Sequence, residues 1–248
     1  MPMRSPLLNK SIVYIVIPAS LSIMLMGAYF SGVDLLQSIV SPSIKWMNPD
    51  SSREFGLLEN LQNACVLVIF FSAFYAIRHK EYLRERLFWA IILLSSALLF
   101  LEETDYGLHI YELVNKVPWS DSREVRNLHN LGDTTDILKR MSDLGLGIWF
   151  VLFPLVFARS QHPVLRYICP DRFAIITTIV MVLLSLVAHE FQDRGFGAGG
   201  TIRKNISEFR ELNVYYLIMI YCIDMVFFRK IESAIPGTCL EDAGESKV

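Results

Sequence analysis

Arg172-Phe-Ala-Ile-Ile-Thr-Thr-Ile-Val-Met-Val-Leu-Leu-Ser-Leu-Val-Ala-His-Glu190 decides the fold. Between Arg172 and His189 no residue can carry a charge, and no period of 2 or 3.6 separates a wet face from a dry one. A helix about 18–20 residues long and apolar all round suits a hydrocarbon core about 30 Å thick. Five more runs share this character, at about 11–30, 57–77, 86–102, 142–158 and 211–228. The sequence therefore predicts an all-α, polytopic transmembrane helical bundle of six spans. One transmembrane domain would cover 1–230, and a polar tail, 231–248, is expected to lack structure.

The first run follows Arg4 and Lys10, as in a secretory signal peptide. It is long for the apolar segment of a signal and no Ala-x-Ala pattern follows, so it reads as a retained span. Pro18 lies inside it, as membrane helices tolerate.

Hydrophobic residues make up 53% of the 248 positions, beyond what one soluble core of this length needs. The net charge of −2 offers no basic field to draw in nucleic acid. Cys65, Cys169, Cys222 and Cys239 share no C-x-x-C spacing, and they read as small apolar packing residues.

Six spans place 12 Lys and Arg on the N-terminal side and 11 on the other, so the totals do not orient the chain. The short loops do. Those around 78–86, 159–172 and 229–230 are all basic, which predicts both termini in the cytoplasm. The acids sort far more sharply: 7 on the cytoplasmic side, 17 on the outer side, and Asp224 within the sixth run. His109, His129 and His189 also fall outside.

Glu54, Glu59, Asp143, Glu208 and Glu211 stand at or just inside span starts, where the helix dipole favours an anion. They read either as capping charges or as members of a site. Glu59 and Asn63 share one helix face at i, i+4. Glu102, Glu103 and Glu190 stand at span ends, where the dipole opposes them. Such carboxylates need a cation, a metal or a raised proton affinity. If the third helix runs on, Glu102, Asp105, His109 and Glu112 line one face, as do His189 and Asp193 on the fifth.

Carboxylates and imidazoles gathered at one membrane face suit a mixed nitrogen and oxygen site for Zn, Mn or Fe. They equally suit a salt-bridged polar cap with Arg126, Arg194, Lys204 and Arg210, or the mouth of a proton or substrate path. On the metal reading Glu102, His129, His189 and Glu211 are ligands. Glu103 or Glu190 is then the general base, and Glu59, Tyr106 and Arg194 contact substrate. Asp224 is a buried intramembrane acid, either functional or snorkelling towards Arg229. No His-Glu-x-x-His, multi-histidine box or Gly-x-Ser-x-Gly occurs. Gly195-Phe-Gly-Ala-Gly-Gly200 follows a membrane helix, not a strand, and reads as a hinge or lid.

Glu102-Glu-Thr-Asp-Tyr-Gly107 followed by Asn127-Leu-His-Asn130 resembles an uncharacterised group of bacterial multi-span membrane proteins. These carry a double glutamate, an aromatic-glycine pair, and an Asn-Leu-His-Asn segment further on. The likeness covers roughly 57–145, and Asp105 and Tyr106 stand where that group has serine and tryptophan. It implies a helical inner-membrane protein with Glu102, Glu103 and His129 as matching positions. The resulting expectation is metal-assisted chemistry on a lipid or lipid-linked substrate at the outer face. The alternatives are a cation- or proton-coupled transporter, or an accessory subunit that binds a protein partner.

Overall fold

A computed structural model describes residues 10–40, 56–115, 134–160, 162–196 and 207–229. Among these every regular element is helical. Helix α1 is Ile12–Phe30, α2 Asp34–Val40, α3 Leu57–His79 and α4 Leu83–Glu103. Helix α5 is Leu108–Asn115. Helix α6 joins Thr134–Gly147, Ile148–Leu152 and Phe153–Phe157 without a break. The short α7, Pro163–Ile168, precedes α8, Arg172–Asp193, and α9 is Ser207–Phe227. The loops holding Glu54, Arg126, His129, Gly197 to Gly200 and Lys204, and the tail beyond 229, lie outside the described residues.

Three helical stretches are long and apolar enough to cross a membrane: Ile12–Phe30, Leu57–His79 and Pro163–Asp193. The last includes α7, and Met141–Phe157 in α6 is apolar but shorter. Helices α4 and α9 fall short for a physical reason. Only fifteen residues separate Arg86 from Glu102, about 22 Å at helical rise, and only twelve separate Glu211 from Asp224. Yet α4 exposes Leu87, Ile91, Leu94, Leu98 and Leu101 as a continuous stripe. A stripe of this kind marks a face that meets a membrane or another protein surface.

Helix α3 packs against α4 and α9, while α8 packs against α1, α6 and α9. Directions follow from end-to-end contacts. Tyr29 of α1 meets Phe209 of α9, and Phe30 of α1 meets Phe191 of α8. The starts of α3 and α9 also meet, and the end of α4 joins them there. At the opposite end Lys10, Lys80, Asp171 and Arg229 are drawn together.

Proline shapes α1. Pro18 has no N–H for the Tyr14 carbonyl, and a wide π-helical turn over Ile12–Val16 sends the Ile17 N–H to the Ile12 oxygen instead. Two carbonyls are thereby released, and hydroxyls from neighbouring helices donate to both. Thr177 of α8 donates to the Tyr14 oxygen at 2.6 Å, and Tyr216 of α9 donates to that of Val13 at 2.9 Å. The proline defect thus docks α1 against its neighbours.

Two helix ends revise the sequence reading. The third helix does not run on past Glu103. Tyr106 (φ 55°) and Gly107 (φ 90°) are left-handed and turn the chain into α5, so Glu102, Asp105, His109 and Glu112 do not share one uninterrupted helix face. Gly195 (φ 84°) stops α8. Its N–H reaches the Gln192 oxygen, the Phe196 N–H reaches that of Phe191, and the two phenyl rings pack 5.5 Å apart, a Schellman stop. Within the glycine-rich segment this first residue is therefore a helix terminator.

Candidate functional site

The acidic end is built where α3, α4 and α9 begin or finish together. Glu59 lies in the first turn of α3 and is 3% exposed. Gln62, one turn deeper and fully buried, donates through Nε2 to the backbone oxygen of Glu208 at 3.2 Å and to its Oε2 at 3.0 Å. Tyr215, two turns into α9, donates its phenol to Glu103 Oε1 at 2.6 Å. Glu208 and Glu211 are the other carboxylates around that phenol. Glu59, Glu103, Glu208 and Glu211 thus stand at one end of the bundle, on three helices, without converging on a single point.

Below them the polar layer continues. Asn213 of α9 is buried, donates to the Phe209 carbonyl and accepts from the Ser22 hydroxyl of α1 at 2.8 Å. Asn63 is 9% exposed, and its Oδ1 is fully buried with no hydrogen-bond partner among the described residues; the same holds for Gln62 Oε1. Buried acceptors left in this state cost about 1–3 kcal/mol each.

Other predicted residues stand elsewhere. Glu190 and Arg194 form an exposed i, i+4 pair at 2.7 Å on the last turns of α8. His189 is exposed and donates from Nδ1 to the Ser185 carbonyl at 2.8 Å. Helix α8 packs on α1, α6 and α9, and the hydrogen bonds described for His189 and Glu190 stay within α8 and its C-cap Arg194. Among the described residues no three His, Cys, Asp or Glu side chains converge closely enough to hold a metal. Glu102 points away from the buried layer and accepts from the Tyr106 phenol. That hydrogen bond holds the exposed Tyr106 hydroxyl above its ordinary pKa. Asp143 pairs with Arg210 at 3.0 Å near the bundle surface.

The opposite end holds Asp224, 8% exposed. Arg229 donates to its Oδ2 from Nε at 2.7 Å and also from Nη2. Its remaining Nη1 donates to the carbonyls of Tyr167, at 3.0 Å, and Cys169. Lys80 caps the end of α9 through the Met225 and Arg229 oxygens at 3.2 and 2.9 Å, with Glu85 4.0 Å away. Trp89, fully buried, donates to the Tyr167 hydroxyl at 3.2 Å. Lys10 meets Asp171, whose other oxygen caps the first turn of α8. This is a fastening: Lys10, Lys80 and Arg229 each reach a carboxylate or a backbone carbonyl of another segment.

Sequence reasoning missed Gln62, Tyr215, Asn213 and Ser22. Neutral polar side chains carry no charge to sort by side, and their importance depends on which helices become neighbours. One signal was available in Glu59, Gln62 and Asn63, spaced i, i+3, i+4 at the start of an apolar run.

Comparison with protein-family models, curated proteins and solved structures gives no match.

Proposed function

We propose that this chain is a bacterial inner-membrane protein of six spans with cytoplasmic termini, whose acidic end binds a lipid or lipid-linked substrate at the outer face. Helices α1, α3, α4, α6, α8 and α9 are the spans. The short α4 and α9 reach the surfaces through snorkelling side chains and local thinning of the bilayer. One observation carries the reading. Separate helices deliver the buried Glu59, Gln62 and Glu208 and the half-buried Glu103 and Tyr215 to the acidic end of the bundle. A carboxylate gripped by a phenol is a positioned proton acceptor, so Glu103 is the proposed base in metal-assisted chemistry. The described donors at this end are oxygens. His129, the imidazole expected as a ligand, lies outside the described residues.

The test is to incubate the purified protein with total inner-membrane lipid and follow the lipids by mass spectrometry. A lipid species converted by wild type and spared by Glu103→Gln supports the reading. An unchanged lipid profile with folded wild type contradicts it.

A second reading, proton-coupled transport, is favoured by polar groups along the α1–α9 seam. Ser22 and Asn213 lead inward from the acidic end, and the buried Tyr14 hydroxyl lies in the field of Asp224 at the other. Proton flux in vesicles that falls in Asn213→Leu supports it, and flux equal to empty vesicles removes it.

A further inference from the structure

We propose that the acidic end holds a hard divalent cation of the Ca2+ class, bound by Gln62 Oε1, Asn63 Oδ1 and the carboxylates of Glu59 and Glu208. The inference rests on reading that end as a ligand site.

The carboxamides carry the argument. Gln62 Nε2 is committed to Glu208 by two hydrogen bonds, which fixes the amide plane and leaves Oε1 beside that residue without a donor among the described residues. Asn63 Oδ1 is equally buried and equally without a donor among the described residues. Gln62 and Asn63 follow Glu59 by three and four residues, so they straddle its line on α3 one turn further in. Both orphaned atoms are acceptors: Gln62 is hydrogen-bonded to Glu208, and Asn63 stands one turn from Glu59 on α3. A cation satisfies acceptors together where a neutral donor would serve one.

Chemistry selects the class. The described donors are oxygens, with no imidazole or thiolate among them, which suits a hard ion over Zn or Cu. Two carboxylates able to bind through one or both oxygens, with two carboxamide oxygens, approach the six to eight ligands that Ca2+ takes in flexible geometry. Mg2+ demands a near-ideal octahedron and parts with its water reluctantly, and a buried layer gives it little of either. Charge agrees in sign. The starts of α3 and α9 contribute about half a positive charge each, against two full carboxylate charges.

The test measures unfolding temperature of the full-length protein in detergent, in chelator and then with Ca2+, Mg2+ or Na+. Ca2+ at about one hundred times its Kd should raise the wild-type midpoint by roughly 5–10 °C, and the other ions by clearly less. Asn63→Leu supplies a sign test. Without metal it should melt no lower than wild type, because an orphaned buried amide has been replaced by an apolar isostere, and it should lose most of the Ca2+ shift. Should Asn63→Leu not fold, Asn63→Asp adds a carboxylate and should tighten Ca2+ binding at least tenfold. No Ca2+ shift in wild type, an equal response to Mg2+ or Na+, a full shift in Asn63→Leu, or unchanged affinity in Asn63→Asp overturns the proposal. A missing Ca2+ shift with the Glu103-dependent lipid change intact removes the cation alone. Loss of both removes the ligand site with it.

Discussion

The two ends of the bundle solve the same problem in opposite ways. Each must place charge where helices meet. At the Arg229 end the charges are matched to one another: Asp224 to Arg229, Lys80 to the final carbonyls of α9, and Lys10 to Asp171. At the Glu59 end, buried carboxylates share a layer with carboxamide oxygens that accept nothing among the described residues. The match at the Arg229 end is close without being complete, since Glu85 Oε1 is buried 4.0 Å from Lys80 with no hydrogen-bond partner among the described residues. The difference is one of kind: there the leftover acceptor stands beside a cation, whereas at the Glu59 end two neutral carboxamide oxygens are left over, the feature on which the proposed ligand site rests.

Breaking the matched end should have the largest effect. Arg229→Met leaves Asp224 buried without its partner and frees two carbonyls, at a cost of about 3–5 kcal/mol read from unfolding in detergent. Adding Asp224→Leu should recover most of that loss, since an apolar pair of similar volume is often neutral.

The seam between the ends comes next. Thr177→Val strips the Tyr14 carbonyl of its donor and should cost about 1–3 kcal/mol. Pro18→Ala in that background restores an N–H to the same carbonyl and should regain part of the loss by the same measurement. If the two changes simply add, the proline defect is not what docks α1.

At the acidic end the same kind of change should cost less than at the matched end. Glu103→Gln and Tyr215→Phe are each expected to cost about 1.5 kcal/mol, and a double-mutant cycle should show them strongly coupled. The exposed Glu190–Arg194 pair sharpens the contrast from the other side. Glu190→Ala should change stability by no more than about 0.5 kcal/mol. A larger effect would mean that α8 takes part in the site after all.

Much of the helical pattern is legible from apolar runs. α1, α3 and α8 announce themselves by length and hydropathy, because a membrane span is specified by composition alone. α4 and α9 are less plain, since Arg86, Glu102, Glu211 and Asp224 crowd their apolar stretches. The turn at Tyr106 and Gly107 could not be read, as a helix and a helix-turn-helix differ there by the φ of two residues. At the acidic end, charge pointed to Glu59, Glu103, His189 and Glu190 alike. Which of them receives a partner from another helix, as Glu103 does from Tyr215, depends on helix packing, and residue spacing does not encode that. Lys80 read as one more basic loop residue, although it caps a distant helix.

The polarity of the bundle underlies both ends, and it is tested most directly by labelling single cysteines in intact spheroplasts with a membrane-impermeant maleimide. With the four native cysteines replaced, Glu190→Cys should react from outside, and Arg84→Cys only after the membrane is opened. Reaction of both from the same side, or of Arg84→Cys alone in sealed spheroplasts, would contradict the arrangement of an outward acidic end and a cytoplasmic basic one.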